Sequence, residues 1–483
     1  MDRVSRADAA NAALCALLDE AGLSNAGLAR AVVRAGAEEG VHLGTNTTSV
    51  KRMLDGCEPR WPVPRLVAKV ISRRLQHEVS VTRCGFADRT PAAEDRYDGL
   101  QCAGTLDETV RTVVELSGRD MERRKFLLGS AFTAAAFSEP ALFALTARPA
   151  DSTARAAGRR IGMSDVEVIT EHHSHLCQLD QRHGSGRVRE QVVQLLHREA
   201  NTILQSTYSE KTGRALLEAV ALLADLAAGT AVDVGRHALA QRYFIQALDL
   251  AMSAGNRLYA AHTLMRMGFV TVVVGQGVLT RHDRLRHARR ALALTHAGHT
   301  VAGTGVTPML AASLHSVEAL GQALLGDASA TRAAMLRAER QHERIRPDGE
   351  PVFHNDYAES AFAADLGRCL RDTGDSGQGI RYLTQALECN EPRRVRSRCL
   401  IEADLAAAHL VGRDFEQAAA VGRDAVRTAA QVSSARSLDR LRVLQRQVGP
   451  LRAHSTHLGE LDDRITGLLT RTGARREEVA GEG

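Results

Sequence analysis

GRHALAQRYFIQALDLAMSAGN, residues Gly235–Asn256, reads as a helix closed by a glycine, and it carries Ala240, Phe244 and Ala247 at helical spacing. Alanines at such positions let a second helix come close, so the stretch asks for another helix beside it. The composition agrees. Hydrophobic residues make up 44% of the 483-residue chain but aromatics only 4%, so Ala, Leu and Val must fill the cores. Close helix–helix packing over small side chains is the easiest way to build such a core.

The pattern returns downstream. DLGRCLRDTGDSGQGIRYLTQALECNEP has Leu366-Gly367, then Gly374-Asp375 at a turn, Leu383, Ala386 and Pro392. DLAAAHLVGRDFEQAAAVGRDAV has Leu405, Ala408, Gly412-Arg413-Asp414-Phe415 and Ala418. Weaker copies stand at EALGQALLGD (Leu320, Gly321, Ala323, Gly326-Asp327) and at LMRMGFVTVVVGQG. These are the small-residue and turn positions of a tetratricopeptide repeat, a helix–turn–helix unit of about 34 residues. There are about five copies, and a stable solenoid needs roughly three, so an all-α fold with a helical-repeat body is expected. Such an array curves into a superhelix whose concave face suits a peptide or a helix. No Ser-His-Asp order, paired-carboxylate motif, Gly-rich cradle or cofactor fingerprint stands out along it. Neither an enzyme nor a cofactor is expected.

The first ninety residues follow a different plan. ADAANAALCALLDEAGLS places Ala10, Ala13, Leu14, Leu17 and Leu18 at helical spacing before Gly22. Ser24 or Asn25 can cap a second helix, NAGLARAVVRAG, with Leu28, Val32 and Val33 inward and Gly36 as its stop. Asn46 or Thr47 can cap a third, TTSVKRMLDG. There Val50, Met53 and Leu54 share one face, while Thr48 and Arg52 share the other, flanked by Ser49 and Lys51. Gly56, Pro59, Pro62 and Pro64 then break the chain before PRLVAKVISRRL. Short helices of which the third presents a polar, basic face make a helix-turn-helix domain.

Charge singles out the same region. The net charge is +5, yet Lys51–Arg74 alone holds seven basic and two acidic residues, while residues 1–46 hold four basic and six acidic. A focused positive patch is the footprint of a phosphate-backbone partner. The eight cysteines are scattered with no Cys-x-x-Cys pair, which reads as reduced and cytoplasmic. The N-terminus lacks the apolar core of a secretory signal, and no uninterrupted apolar run reaches the roughly 18 residues of a membrane span.

SNAGLARAV…TNTTSVKRMLDGCEPRWPVPRLVAKVISRRL resembles the Xre-type helix-turn-helix of actinobacterial NsdA-like regulators, which join it to tetratricopeptide repeats. ALAQRYFIQAL resembles a phrase typical of the same family's repeat body, so the resemblance covers nearly the whole chain. It departs from the family in two places. The connection between the second and third helices is longer than in compact phage repressors, and Met53 stands where a tryptophan is expected. The resemblance implies that Thr48, Ser49 and Arg52 face base edges or nearby phosphates. It further implies that Lys51, Arg60 and caps at Asn25 and Thr47 grip phosphate. Its function would then be a cytoplasmic, homodimeric transcriptional regulator of differentiation or secondary metabolism. The partners would be double-stranded DNA and a peptide or protein at the repeat groove. The alternative is a tetratricopeptide scaffold without DNA binding.

Two further stretches need a reading. MERRKFLLGSAFTAAAFSEPALFALTARPA resembles a twin-arginine export signal at Arg123-Arg124, but it lies inside the chain, and a buried helix ending at Pro140 is expected instead. EHHSHLCQLDQRHGSG gathers Glu171, His172, His173, His175, Cys177 and His183 without matching a zinc spacing, so no metal site is expected. Its LDQRHGSG portion resembles a structural segment of the same family, and Gly184-Ser185-Gly186 reads as a turn. The expected organisation is a helix-turn-helix domain over 1–90, linker and connecting helices over 91–186, repeats over 187–470 and a disordered tail over 471–483.

Overall fold

The structure, a computed structural model, describes residues 11–38, 43–60, 62–75, 77, 79–87, 99–122, 132–146, 153–156, 158–278, 280–351, 353 and 359–481, with the backbone alone at 347 and 473–481. They fall into two compact units, one of residues 1–98 with 122–133 and the other of 99–121 with 134–483.

The first unit is a small helical domain of α1 (Ala12–Glu20), α2 (Asn25–Glu38), α3 (Thr47–Leu54) and α4 (Val63–Leu75). Its core interleaves Leu14, Leu17, Leu28, Val32, Val50, Met53, Leu66 and Ile71, with Phe86 closing it from beyond α4. Met53 is only 3% exposed, so a flexible thioether fills the place where an aromatic ring was expected. α2 runs past Gly36 to Glu38, because a glycine inside a helix costs only about 1 kcal/mol. Asn11 binds the domain's ends together. Its side chain accepts from the Leu14 amide at 2.9 Å and donates to the Cys84 carbonyl at 2.9 Å.

The second unit begins with α5 (Leu106–Met121), α6 (Ser138–Thr146), α7 (Met163–His183) and α8 (Ser185–Gln205). Five helical hairpins follow. They are α9 (Glu210–Asp233) with α10 (His237–Ser253), α11 (Arg257–Gly277) with α12 (Arg281–Ala302), and α13 (Pro308–Leu325) with α14 (Ala328–His342). The last two are α15 (Glu359–Asp372) with α16 (Ser376–Glu388), and α17 (Val395–Val411) with α18 (Phe415–Ala429). α19 (Ala435–Val448) and α20 (Thr456–Gly481) complete it. Among the described residues, β1 (Arg159–Arg160) pairs in parallel with β2 (Ser206–Thr207), and Arg155 bridges Tyr208 beside them. The chain is all-α, with a helical-repeat body.

The turn chemistry explains the hairpins. Gly326 and Gly374 take positive φ at helix ends, and Asp327 and Asp375 then cap the next helices by accepting from Ala330 and Gln378. Within hairpins the small residues set the spacing. Ala240 and Ala247 are fully buried, and a Cβ on Gly367 would lie 2.6 Å from Leu383 Cγ, so α15 and α16 pack this closely only over glycine.

The array also closes on itself within this unit. α7 touches α17, and α9 touches α19. At the joint the Ser433 amide donates to the His183 carbonyl and the Gly186 amide donates to the Ser433 carbonyl, both at 2.9 Å. A Cβ on Gly186 would sit 2.2 Å from Ser433 Oγ, so the Gly184-Ser185-Gly186 turn is a packing joint.

Three expectations need correction. Residues 99–121 and 134–186, read as linker and connecting helices, belong to the body, where α5 packs on α8 and α10. Pro140 lies in the first turn of α6 instead of ending a helix. Proline is tolerated there because its missing N–H has no intrahelical acceptor. Arg123, Arg124 and the run to 131 lie outside the described residues. α20 continues to Gly481 through most of the segment read as a disordered tail, which is rich in the helix formers Ala, Arg and Glu. By length and composition α9 and α11 could each cross a membrane, but 78% and 72% of their most apolar windows are buried among other helices of the body.

Asp249 ties α5 to α10, accepting from the Ala103 amide at 2.8 Å and from Thr109 Oγ1 at 2.9 Å. Burial nevertheless raises its pKa to about 6. An unfolded aspartate titrates near about 3.9, so the folded state binds the extra proton between these values and stability falls as pH rises through them. Asp249→Asn should remove that slope. Urea unfolding should find the variant gaining about 2–3 kcal/mol on the wild type between pH 4 and 7. A constant difference would place the ionised carboxylate in a better environment than the burial argues.

Candidate functional site

Each unit offers one surface with chemistry. In the first it is the outer face of α3. Asn46 caps this helix, accepting from the Ser49 amide at 2.9 Å, while Ser49 Oγ returns to the Asn46 amide at 3.4 Å in a capping box. Thr47 is therefore the first helical residue and not the cap. Likewise Ser24 caps α2, accepting from the Gly27 amide at 3.1 Å, and Asn25 begins the helix. The box half-buries Ser49 and occupies its hydroxyl.

Thr47, Thr48, Lys51 and Arg52 are exposed on α3, above the buried Val50 and Met53. Arg60 is exposed beyond the Gly56 turn, and Asn25 is half-buried at the start of α2. Arg74 Nε donates to the Ala21 carbonyl at 3.2 Å, which makes it a tie between α4 and α1. Lys51 and Arg52 also lie in the last turn of α3, where cations complement the helix dipole, so their charge has a structural use as well.

In the second unit the site is a cavity of about 320 Å³ between α7, α9, α10, α11, α15, α17 and α19. One side is aromatic. Tyr259 meets Phe353 edge-on at 4.9 Å between centroids and stacks on His262 at 5.7 Å. Phe244 lies under Arg266, and Phe269 lies under Arg436 at 5.2 Å. The lining also holds a lattice of arginines and aspartates. Asp404 receives Arg371 at 2.6 Å, Arg440 at 3.2 Å and Arg368 at 3.9 Å. Burial would raise its pKa, but the three guanidiniums outweigh burial and hold it below the usual range. Arg396 binds Asp180 at 2.8 Å and Asp233 at 3.5 Å. Arg368 also pairs with Asp365, and Arg266 reaches Asp225 at 3.5 Å.

Arg436 differs from these. Among the described residues no carboxylate lies within ion-pair distance of it, and its Nε is enclosed without an acceptor. Burial first, then the positive neighbours Arg368, Arg440 and Arg396, lower its pKa to about 9, against the pull of Asp233. It remains a cation at neutral pH.

The histidine-rich stretch divides along α7. His173 and Cys177, with Nε2 and Sγ 3.5 Å apart, line the cavity, whereas Glu171, His172 and His175 face outward. Among the described residues, the metal-ligand types that converge are His299, His315 and Glu318, with ligand atoms within 4.8 Å. Glu318 there is already bound by His315 at 3.0 Å and Arg337 at 2.8 Å. Burial and the neighbouring His315 lower the pKa of His299 to about 4, so it is neutral at physiological pH. The eight cysteines form no disulfide among the described residues.

A family profile described as the SP15 N-terminal domain matches residues 14–87, which span the helices of the first unit and Phe86. No curated protein matches the chain. Among solved structures, the chain is similar to that titled "Crystal Structure of Rap Protein Complexed with Competence and Sporulation Factor". The identity is 12%, covering 67% of this chain and 100% of that chain, with a TM-score of 0.32. The helical-repeat architecture stands on the five hairpins themselves.

Proposed function

We propose that this chain is a DNA-binding transcriptional regulator of the Xre-type, NsdA-like kind. Its repeat body binds a peptide or other ligand and a second copy of the chain. The observation that carries this reading is the division of α3, with Val50 and Met53 buried below and Thr48, Lys51 and Arg52 exposed above. A helix held by its apolar face and presenting Thr48 in its first turn and Lys51 and Arg52 in its last suits the major groove. Thr47, Arg60 and Asn25 flank it and would contact phosphate, while Ser49 would act mainly by fixing the cap. The regulator is cytoplasmic and non-enzymatic in this reading, acting on differentiation or secondary metabolism.

The test is a binding titration of full-length variants. Arg52→Ala should cost about 1–3 kcal/mol and blur sequence preference, because Arg can pair bidentately with guanine. Lys51→Ala should weaken all sequences alike. Equal losses at every sequence for both variants would remove the base-reading role from Arg52.

The second reading, a protein-interaction scaffold, is favoured by the closed helical-repeat body and by the capping role of Ser49, which takes one polar group from the outer face of α3. It calls for a body that captures its partner while the chain ignores DNA.

A further inference from the structure

We propose that the cavity of the repeat body is a receptor for an organic anion. A carboxylate or phosphate head is seated on Arg436, and an apolar or aromatic group beside it packs against Tyr259, Phe269 and Phe353. This rests on the reading that the body binds a ligand, and it names that ligand's chemistry.

The charge inventory of the cavity carries the argument. The other arginines have their carboxylates, with Asp404 shared by Arg371, Arg440 and Arg368, and Asp180 and Asp233 taken by Arg396. Arg436 alone among these is left over, resting on the Phe269 ring with its Nε enclosed and unbonded. A desolvated guanidinium is a strong and directional donor site for a planar carboxylate or a phosphate, which accepts two parallel N–H bonds from it. The cation also stands in the first turn of α19, where the helix dipole is positive and disfavours it. Burial and positive neighbours press the same way. An anion would relieve all three. The same cavity is lined by the Tyr259–His262–Phe353 ring cluster, and about 320 Å³ is small, enough for a compact head and one side-chain-sized group. The C-terminal residue of a short peptide and a small aromatic acid share this chemistry.

The test uses the full chain and calorimetric titration with four probes. These are 3-phenylpropanoate and its uncharged amide, and a Gly-Gly-Phe tripeptide with a free or an amidated C-terminus. At least one acid should bind tenfold or more tightly than its amide. Arg436→Gln should abolish that preference, while Arg436→Lys, which keeps the charge, should retain part of it even if the glutamine variant fails to fold. Tyr259→Leu should weaken acid and amide alike. Preference for the small acid or for the peptide acid tells which source supplies the head. Equal binding of acid and amide, an unchanged preference in Arg436→Gln, or no saturable binding by either acid overturns the proposal. Acid-selective binding that leaves DNA affinity unmoved would keep the site and sink the sensor reading. DNA binding without any acid-selective site would do the reverse.

Discussion

Replacing Asp404 by alanine is expected to destabilise the repeat body by about 3–5 kcal/mol, because removing one partner of a buried ion network leaves the others uncompensated. Asp404 is 1% exposed on α17, and it joins α15, through Arg368 and Arg371, to α19, through Arg440. Without it three guanidiniums face each other across a space that already holds Arg436. Asp404→Asn should be nearly as damaging, since it keeps the shape and loses the charge. The sign with pH follows from the lowered pKa. The stabilisation is present above the unfolded value near about 3.9 and is lost as pH falls through the lower folded value. Denaturant unfolding should therefore find the gap between wild type and variant full at pH 7 and shrinking in strong acid. A gap under 1 kcal/mol at pH 7 would mean that water screens the lattice and that the cavity wall is not desolvated.

The second large effect is on DNA affinity. If the exposed basic groups around α3 neutralise about three to five phosphates per chain, log K should fall against log salt with a slope of roughly −3 to −4.5. Raising salt from about 50 to 200 mM would then weaken a monomer about 60- to 500-fold, and a dimer about as the square of that. The positive surplus of Lys51–Arg74 is what makes such a slope reasonable, although Arg74, tied to the Ala21 carbonyl, should contribute little. A slope near zero would say that whatever binds does so without the phosphate backbone.

Much of the fold was legible because it is periodic. The inward Val50 and Met53 and the outward Thr48 and Arg52 follow from about 3.6 residues per turn. The hairpins announce themselves through Gly374-Asp375 and Gly326-Asp327, where one residue must take positive φ and the next must cap. The caps themselves were legible only to within a residue. Ser24 and Asn25, or Asn46 and Thr47, are equally good capping types side by side, and the choice is made by which amide the chain presents.

The cavity was not legible at all. Its lattice pairs Arg396 with Asp180 and Arg371 with Asp404, residues that no local period relates. Nothing local marks the arginines on α15, α17 and α19, which come together where α7 meets α17 and α9 meets α19. The same holds for α5, whose partners α8 and α10 lie far along the chain. His173 and Cys177, part of a stretch read as having no zinc spacing, lie on the cavity wall.

The most direct measurement is a mobility-shift titration of the full-length chain against fragments of its own promoter region, in the presence of excess unrelated DNA. The account predicts that at least one fragment is retarded selectively, that added salt releases it, and that Arg52→Ala loses the selectivity before it loses the binding. Failure to retard any fragment, at low salt and with a folded protein, would contradict it and leave the repeat body as the functional part of the chain.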